Sequence, residues 1–406
     1  MKKPLRTTLL ALSVLVFASG PWNLAAAQGV RPEIGKPLQQ AAELLRAGKA
    51  RAALARVAAA DAVRGKTADE QLVIDRMRAA AAQRAGDTKE AVAALESVYA
   101  RSGAAEKGRI AEQVSAMYAQ QRNNGKAAEW LSRAIEAGNR GAGVQQLQGY
   151  LQAASGDYAG IAREAGAAVA AAEQAGRAPA QADLLRLADA QQRLGRNDAV
   201  VVTLEKLVSG YPKAEYWDAL LDRLPRKRGF ASSRYALDVL RLRRATGTLT
   251  EADEYVQMAQ MALQSNLTHE ARDVLDEGYA KGVLGKGDDA PRQERLRALA
   301  AKEDGDVASL LALQLTAARR SDTGDALVRV GSAYAGHGEI DRGIALIEQG
   351  IARGKLHHPN DARLRLGLAQ LQSAGTHDGG VKSLGAVKGN AGAADIARLT
   401  LLAGRG

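Results

Sequence analysis

Histidine is the residue type with which this sequence could hold a metal ion or transfer a proton at neutral pH, and it occurs five times. A zinc helix of the H-E-x-x-H type needs two histidines four residues apart, and no pair has that spacing. His357 and His358 form the only cluster, but adjacent residues point to different sides of a helix and Pro359 follows them. We therefore predict loop histidines and no metal site; the others are His269, His337 and His377.

Other catalytic patterns are missing as well. The absence of cysteine excludes disulfides, thiolate metal sites and cysteine nucleophiles. The sequence has no G-x-S-x-G nucleophile elbow, no P-loop and no glycine-rich dinucleotide motif. Carboxylates such as Asp273, Asp276 and Glu277 are expected on solvent-facing sides of helices, without acid/base pairing. The sequence thus predicts a non-catalytic protein with no cofactor.

Positive charge is concentrated between residues 223 and 244, where Asp222 and Asp238 are the nearest acids. This stretch is either a solvated face of no special role or a docking site for an acidic protein or an anionic envelope polymer. Aromatic residues that would stack on bases do not alternate with the cations, so we set nucleic acid aside as a partner. The candidate partner-binding cations are Arg226, Lys227, Arg228, Arg241, Arg243 and Arg244.

The first 27 residues match a secretory signal peptide. Cations at positions 2, 3 and 6 precede an apolar run at 7–17 that is too short to span a bilayer, and Ala-Ala-Ala at 25–27 is a cleavage site. The pattern predicts a soluble periplasmic chain with no transmembrane segment; an uncleaved anchor is the alternative. Because residues 1–27 contain no acid, loss of the three cations lowers the formal net charge from +11 to +8.

The composition favours helix throughout. Of the 406 residues 46% are apolar, which is too many for a disordered chain, and only 4% are aromatic. Most of the apolar residues are Ala and Leu, which form helices more readily than strands. A β-sandwich or barrel is therefore disfavoured.

A local pattern returns at intervals of about 31 to 39 residues, the spacing expected of stacked helix-turn-helix units. Each unit has a helix-like run, a short Gly or Asn break and a second, Ala-containing run. The breaks lie at Gly48, Gly86, Asn124, Gly156, Gly195, Asn266, Gly305, Gly338 and Gly375, with a weaker one near Gly229. We predict an all-α fold, an α/α solenoid of about ten helix pairs over residues 28–406; a non-repetitive bundle is the alternative.

Residues in phase with these breaks resemble the tetratricopeptide repeat. In one unit, the run from Leu184 to Gln191 precedes a turn at Gly195 and a closing Pro212. Matching sets are Tyr118, Ala127, Leu131 and Ala134; Tyr255, Ala259, Asn266, Ala271, Leu275 and Gly278; and Gly331, Tyr334, Gly338, Gly343, Ile347 and Gly350. The units near Gly229 and Gly305 depart from the pattern, which leaves their helix boundaries open.

The resemblance implies a concave groove, lined by the first helix of each pair, that holds a protein or peptide partner. By the same resemblance the candidate groove residues are Asp189, Gln192, Arg193, Gln260 and Gln264. For each of them the alternative is a solvent-facing polar residue on an amphipathic helix.

Two stretches read as loops that could bend the array, residues 282–290 and 223–229. Two halves, 28–212 and 213–406, are therefore an alternative to one continuous array. A final run, Ala393 to Leu402, is expected to be the helix that caps the open end.

The chain also resembles exported tetratricopeptide proteins of Gram-negative bacteria that are associated with TonB, ExbB and ExbD energy-transducing components. The strings that carry this resemblance are Tyr216-Trp217, Arg226 to Phe230, Tyr235 to Val239, Arg241 to Arg243 and Gly247 to Leu249. The resemblance implies an accessory scaffold of an envelope complex. A periplasmic chaperone or assembly factor, and a peptidoglycan-acting enzyme, are the alternatives.

The signal pattern gives a direct prediction. The mature protein should begin at Gln28, because signal peptidase cleaves after small residues of the Ala25 to Ala27 kind. N-terminal sequencing of protein released by osmotic shock measures this. Intact Met1 in the membrane fraction would show that the segment is retained as an anchor.

Overall fold

The structure is a computed structural model that describes residues 30–389 and 391–404. Within these ranges the backbone forms α-helices and no strand, which confirms the all-α prediction. The predicted signal peptide lies outside the described residues. None of the helices in the described ranges is both long enough and apolar enough to cross a membrane.

The chain divides into two compact units, Met1–Ile161 and Ala162–Gly406. The division falls within a helix, Tyr158–Gln174. The helices up to the division are α1 (Pro32–Arg46), α2 (Ala50–Asp61), α3 (Ala68–Ala85), α4 (Thr88–Arg101), α5 (Ala104–Gln120), α6 (Asn124–Glu136), α7 (Ala142–Ala154) and α8 (Tyr158–Gln174).

In unit 1 (residues up to Ile161) neighbouring helices pack as pairs: α1 with α2, α3 with α4, and α5 with α6. Local sequence fixes the ends of α3. The Thr67 hydroxyl accepts the Glu70 N–H at 3.1 Å while the Glu70 carboxylate accepts the Thr67 N–H at 2.9 Å, a reciprocal capping box. Gly86, at φ +75°, terminates the helix in a conformation that costs glycine little. The local sequence therefore sets where α3 begins and ends.

Unit 2 (residues from Ala162) continues the same architecture. Its pairs include α9 with α10, α13 with α14, α16 with α17, and α18 with α19. Its helices after α8 are α9 (Gln181–Arg193), α10 (Asn197–Gly210), α11 (Ala214–Arg223), α12 (Ala236–Ala245), α13 (Ala252–Gln264), α14 (Thr268–Ala280), α15 (Ala290–Arg320), α16 (Asp325–Gly336), α17 (Ile340–Arg353), α18 (Pro359–Gln370), α19 (His377–Gly385) and α20 (Ala393–Ala403). The chain thus has a TPR-like fold of successive helix pairs.

The residues that matched the repeat pattern are the ones that pack. Tyr255, Ala259, Ala271 and Leu275 are all fully buried between α13 and α14. The α16 and α17 helices approach so closely that a Cβ added at Gly343 would lie 2.6 Å from backbone atoms of α16. The small residues in the pattern are therefore required by close contact of the two helix backbones.

One predicted helix break in unit 2 is wrong. The break predicted at Gly305 is absent, because α15 runs without interruption from Ala290 to Arg320. A glycine inside a helix lowers helix propensity but does not end the helix when burial of its neighbours, here Asp304 and Val307, holds it. The loop predicted at 282–290 is confirmed up to Ala290, the first residue of α15. The loop predicted at 223–229 is shorter than expected, because Arg223 ends α11 and Leu224–Arg226 form a 3-10 turn.

The final helix does not cap an open end. The predicted run forms α20, but α20 packs back against α10, α12 and α18. Ile396 and Leu399 enter the same core as Leu204 and Trp217, and the Ala231 N–H donates to the Ala391 carbonyl at 2.9 Å. Unit 2 is therefore closed, with its last helices packed on its early ones.

Close packing of α16 and α17 predicts opposite effects for two glycine-to-alanine changes. Gly343→Ala should destabilise the protein by about 1 to 3 kcal/mol, because its methyl group would overlap the α16 backbone. Gly305→Ala is the control: Gly305 is helical and exposed, with open space around it, so alanine should add up to about 1 kcal/mol. Urea unfolding measures both; equal tolerance would contradict the packing of this pair.

Candidate functional site

The predicted basic patch is largely an internal ion-pair network, which corrects the expectation of one solvated or docking face. Arg243 is buried and its guanidinium donates to Asp218 at 2.7 Å and to Asp222. Burial by itself would lower the pKa of Arg243, but Asp218, Glu254 and Asp222 raise it above its ordinary value. Arg243 therefore stays charged and joins α12 to α11 and α13.

Arg241 and Arg244 are also paired. Arg241 donates to both oxygens of Glu270 at 2.7 and 2.6 Å and to Asp238 at 3.0 Å, while Arg244 donates to Glu277 at 2.6 Å. These pairs join α12 to α14. A sequence window could not reveal them, because their partners on α14 are 29 and 33 residues away.

The remaining three candidate cations, Arg226, Lys227 and Arg228, differ in their contacts. Lys227 donates to both oxygens of Asp395 on α20, at 2.7 and 2.8 Å, so it takes part in closing unit 2. The backbone N–H of Arg228 donates to Asp198 at 2.9 Å, but its side chain is 93% exposed. Arg226 is exposed too. Among the six candidate cations, Arg226 and Arg228 are therefore the exposed ones, and the Arg228 Nε atom lies 3.5 Å from an Asp198 carboxylate oxygen.

Unit 2 is held closed by a buried carboxylate, Asp238 on α12, which is 2% exposed. Arg365 on α18 donates to both of its oxygens at 2.6 Å, and Arg241 donates to one. Burial by itself would raise the pKa of Asp238, but Arg365 and Arg241 lower it below its ordinary value. Close by, the buried Tyr235 hydroxyl donates to Asp361, also on α18. Burial and the Asp361 carboxylate raise the pKa of Tyr235 to about 12, so it remains a neutral donor.

A groove of about 970 Å³ lies within unit 2, between α12 and α18. We call it the unit 2 groove. Residues from α12, α13, α14, α15, α16 and α18 line it. They include Arg241, Arg244, Gln264, Ser265, Asn266, His269, Glu270, Asp273, Gln314, Ala317, Ala318, Ala326, Arg329, Ser332, Ala333, Ala335, Gly336, Arg365, Ala369 and Gln372. The closure between α12 and α18 therefore brings together walls that are distant in the sequence.

The lining combines apolar residues, both small ones and larger ones such as Leu267 and Leu368, with amide and charged groups. Alanines and Gly336 leave room for another chain to approach closely, as small residues do between helices. Gln264, Gln314 and Gln372 each carry a donor and an acceptor, which suits a peptide backbone. Arg329 is exposed and adds a positive charge. The groove thus offers the contacts that a polypeptide segment needs.

Only some predicted groove residues lie there. Gln264 lines the unit 2 groove, as do Arg241 and Arg244 from the predicted basic patch. Gln260 is half-buried on α13 but does not line it. On α9, Asp189 accepts from Arg193 at 3.2 Å, and Gln192 accepts from Arg223 at 2.7 Å.

Arg329 and Arg365 were not among the predicted site residues, because neither lies in a charge cluster of the sequence. The prediction that His357 and His358 form the only histidine cluster is wrong. His269 and His337, 68 positions apart in sequence, lie with their ring centroids 5.9 Å apart. His357 instead contacts Asp325, with its Nδ1 2.5 Å from a carboxylate oxygen. No spacing rule within one helix could have found the first pair.

Comparisons with known proteins add little. No family model matches the chain, and no curated protein matches it. Among solved structures, the chain is similar to yeast Tom70, with 11% identity and coverage of 92% of this chain and 88% of that chain. The TM-score is 0.26. Such a weak superposition carries no argument about function, which must therefore be inferred from the groove itself.

The buried carboxylate predicts a stability change. Asp238→Asn should destabilise unit 2 by about 3 kcal/mol, because it leaves Arg365 and Arg241 without their shared negative charge. The control, Asp189→Asn on the α9 surface, should change stability by less than about 0.5 kcal/mol. Urea unfolding followed by circular dichroism measures both. An unchanged midpoint for Asp238→Asn would show that the closure does not depend on this carboxylate.

The ion pair between Asp238 and Arg365 predicts that the stability of unit 2 depends on pH. Since the folded-state pKa of Asp238 is lowered, its contribution is fully present above the ordinary aspartate pKa of about 3.9 and is lost as the pH falls toward the folded-state pKa. The stability difference between wild type and Asp238→Asn should therefore shrink below about pH 4. A difference that stays constant from pH 7 to pH 3 would contradict the assignment.

Proposed function

We propose that this protein is a non-catalytic interaction scaffold whose unit 2 groove binds a segment of a partner protein. The observation that carries the proposal is the groove itself, a 970 Å³ channel with alanines and amides on its walls. Ligand sites are typically concave, with an apolar lining and a few placed polar groups. A peptide segment fits because its backbone supplies a donor and an acceptor at every residue.

Charge on the groove favours a particular kind of segment. Arg241 and Arg365 are neutralised by Asp238 and Glu270, while Arg329 is exposed at the groove. A carboxylate on the partner would pair with Arg329, since arginine binds carboxylates in a bidentate geometry. On the α14 side, Asp273 already lies 3.7 Å from Arg272. The preferred segment therefore carries an acidic residue toward α16.

We further propose that the scaffold acts in the periplasm as an accessory of a TonB-type transport or energy-coupling complex. The support is the signal-like start of the chain and the strings between Tyr216 and Leu249 that resemble exported TonB-associated tetratricopeptide proteins. Those strings lie at the α11 to α13 region, which supplies one side of the groove and the Asp238 closure.

Site-specific photo-crosslinking in the native cell envelope tests the function. A photoreactive residue in place of Gln264 or Ser332 should capture a partner, because both positions line the groove. The same residue at Gln192 or Arg226, exposed positions elsewhere, is the control. Arg329→Glu should reduce capture at least several-fold, because it reverses the charge offered to an acidic segment, whereas Arg226→Glu should not.

The position at which a partner is captured locates the binding surface. Capture at Arg226 alone would place binding on the residual basic surface and contradict the groove. Capture at none of the four positions would contradict a scaffold function. TonB, ExbB or ExbD components among the captured proteins would support the energy-coupling role, whereas many unrelated envelope proteins would support the chaperone alternative.

A further inference from the structure

Three potential metal ligands from three separate elements of unit 2 come together beside the groove. His269 lies in the first turn of α14, Asp304 lies in the middle of α15, and His337 follows the end of α16. One ligand atom from each lies within 4.8 Å of the others. We propose that His269, Asp304 and His337 form a binding site for a divalent transition metal, with Zn²⁺ as the fitting ion.

The distances suit ligands that share an ion. His337 Nδ1 lies 3.4 Å from Asp304 Oδ1, and His269 Nδ1 lies 3.6 Å from Asp304 Oδ2. Two ligands of a tetrahedral Zn²⁺, with bonds of about 2.0 to 2.1 Å, lie about 3.3 to 3.4 Å apart. Both separations exceed the usual length of a direct N–H···O hydrogen bond, about 2.9 Å. A small cation can therefore bridge these groups.

His337 gives an independent sign of a missing partner. Its Nδ1 atom is buried and makes no hydrogen bond within the described residues. A buried nitrogen without a partner costs free energy, and a metal ion bound to its lone pair would remove that cost. This atom is aimed at the carboxylate that would be the central ligand.

The carboxylate is already oriented by its neighbours. Asp304 is buried, and the Thr268 hydroxyl donates to its Oδ1 at 3.1 Å. Outer hydrogen bonds of this kind commonly orient metal-binding carboxylates. Asp304 lies on the buried side of α15. Two imidazoles and one carboxylate form a ligand set that suits zinc, with a fourth position for water.

In the structure, the Arg272 guanidinium supplies the positive charge beside Asp304. Arg272 donates to Asp304 Oδ2, and its second nitrogen lies 2.9 Å from His269 Nδ1. The metal must displace these contacts, and the Arg272 side chain is 38% exposed, so it can move into solvent. Asp273 also lies near the site, 3.6 Å from His269 Nε2. Zn²⁺ and Arg272 should therefore compete for the same two atoms.

The test uses Zn²⁺ and Co²⁺ salts with the purified full chain at neutral pH. Calorimetry should find one Zn²⁺ site, and Co²⁺ should give the visible absorption of a tetrahedral complex. His269→Asn and His337→Asn should each weaken Zn²⁺ affinity by more than about 100-fold. Loss of a residue that only hydrogen-bonds to a metal ligand costs roughly 10- to 100-fold, and loss of a ligand should cost more. Arg272→Gln should bind Zn²⁺ more tightly than the wild type.

Controls separate this site from adventitious binding. A His357→Asn/His358→Asn variant removes the adjacent surface histidines and should bind Zn²⁺ as the wild type does, as should His377→Asn. Circular dichroism checks that each variant is folded. The proposal is wrong if the wild type binds no Zn²⁺, if binding survives in both His269→Asn and His337→Asn, or if Arg272→Gln weakens it. Because the readout needs no protein partner, failure here leaves the groove proposal standing.

Discussion

The buried carboxylate of Asp238 is the constraint on which unit 2 depends. A helix pair has an apolar stripe that it cannot bury alone, so stacked pairs usually need a cap at each open end. In unit 2, Asp238 on α12 instead binds Arg365 from α18, and α20 packs against α10 and α12. The closed arrangement fixes the distance between the walls of the groove. The shape of the groove therefore depends on an ion pair between residues 127 positions apart.

The packing that closes unit 2 also places many of its cations in ion pairs between helices. Lys227 binds Asp395, Arg243 binds Asp218 and Asp222, and Arg398 on α20 binds Glu205 on α10. A buried arginine that binds two carboxylates holds its helices together more than it attracts a partner, because its charge is already neutralised. A basic sequence is thus a poor guide to a basic surface when the helices that carry it pack on acidic ones.

One long helix connects the two sites proposed for unit 2. The α15 helix contributes Gln314 to the groove and Asp304 to the histidine cluster. His269 belongs to both, since it lines the groove and lies 3.6 Å from Asp304. A bound ion would fix the first turn of α14 against α15 and α16, and so hold one wall of the groove in place. A scaffold would then bind its partner with less ordering of its own side chains.

The helix pairs can be predicted from local sequence, because turn residues and buried small residues act over a few positions. The breaks at Gly86 and Gly195 and the core residues Tyr255 and Ala271 could be read from spacing alone. The long α15 could not, because the cost of Gly305 is small against the burial of its neighbours. Candidate site residues were predicted less well: Gln264, Arg241 and Arg244 line the groove, but Arg329, Arg365 and the histidine cluster were missed. Which charges are neutralised and which histidines meet depends on the packing of unit 2, because these contacts join helices that are distant in sequence.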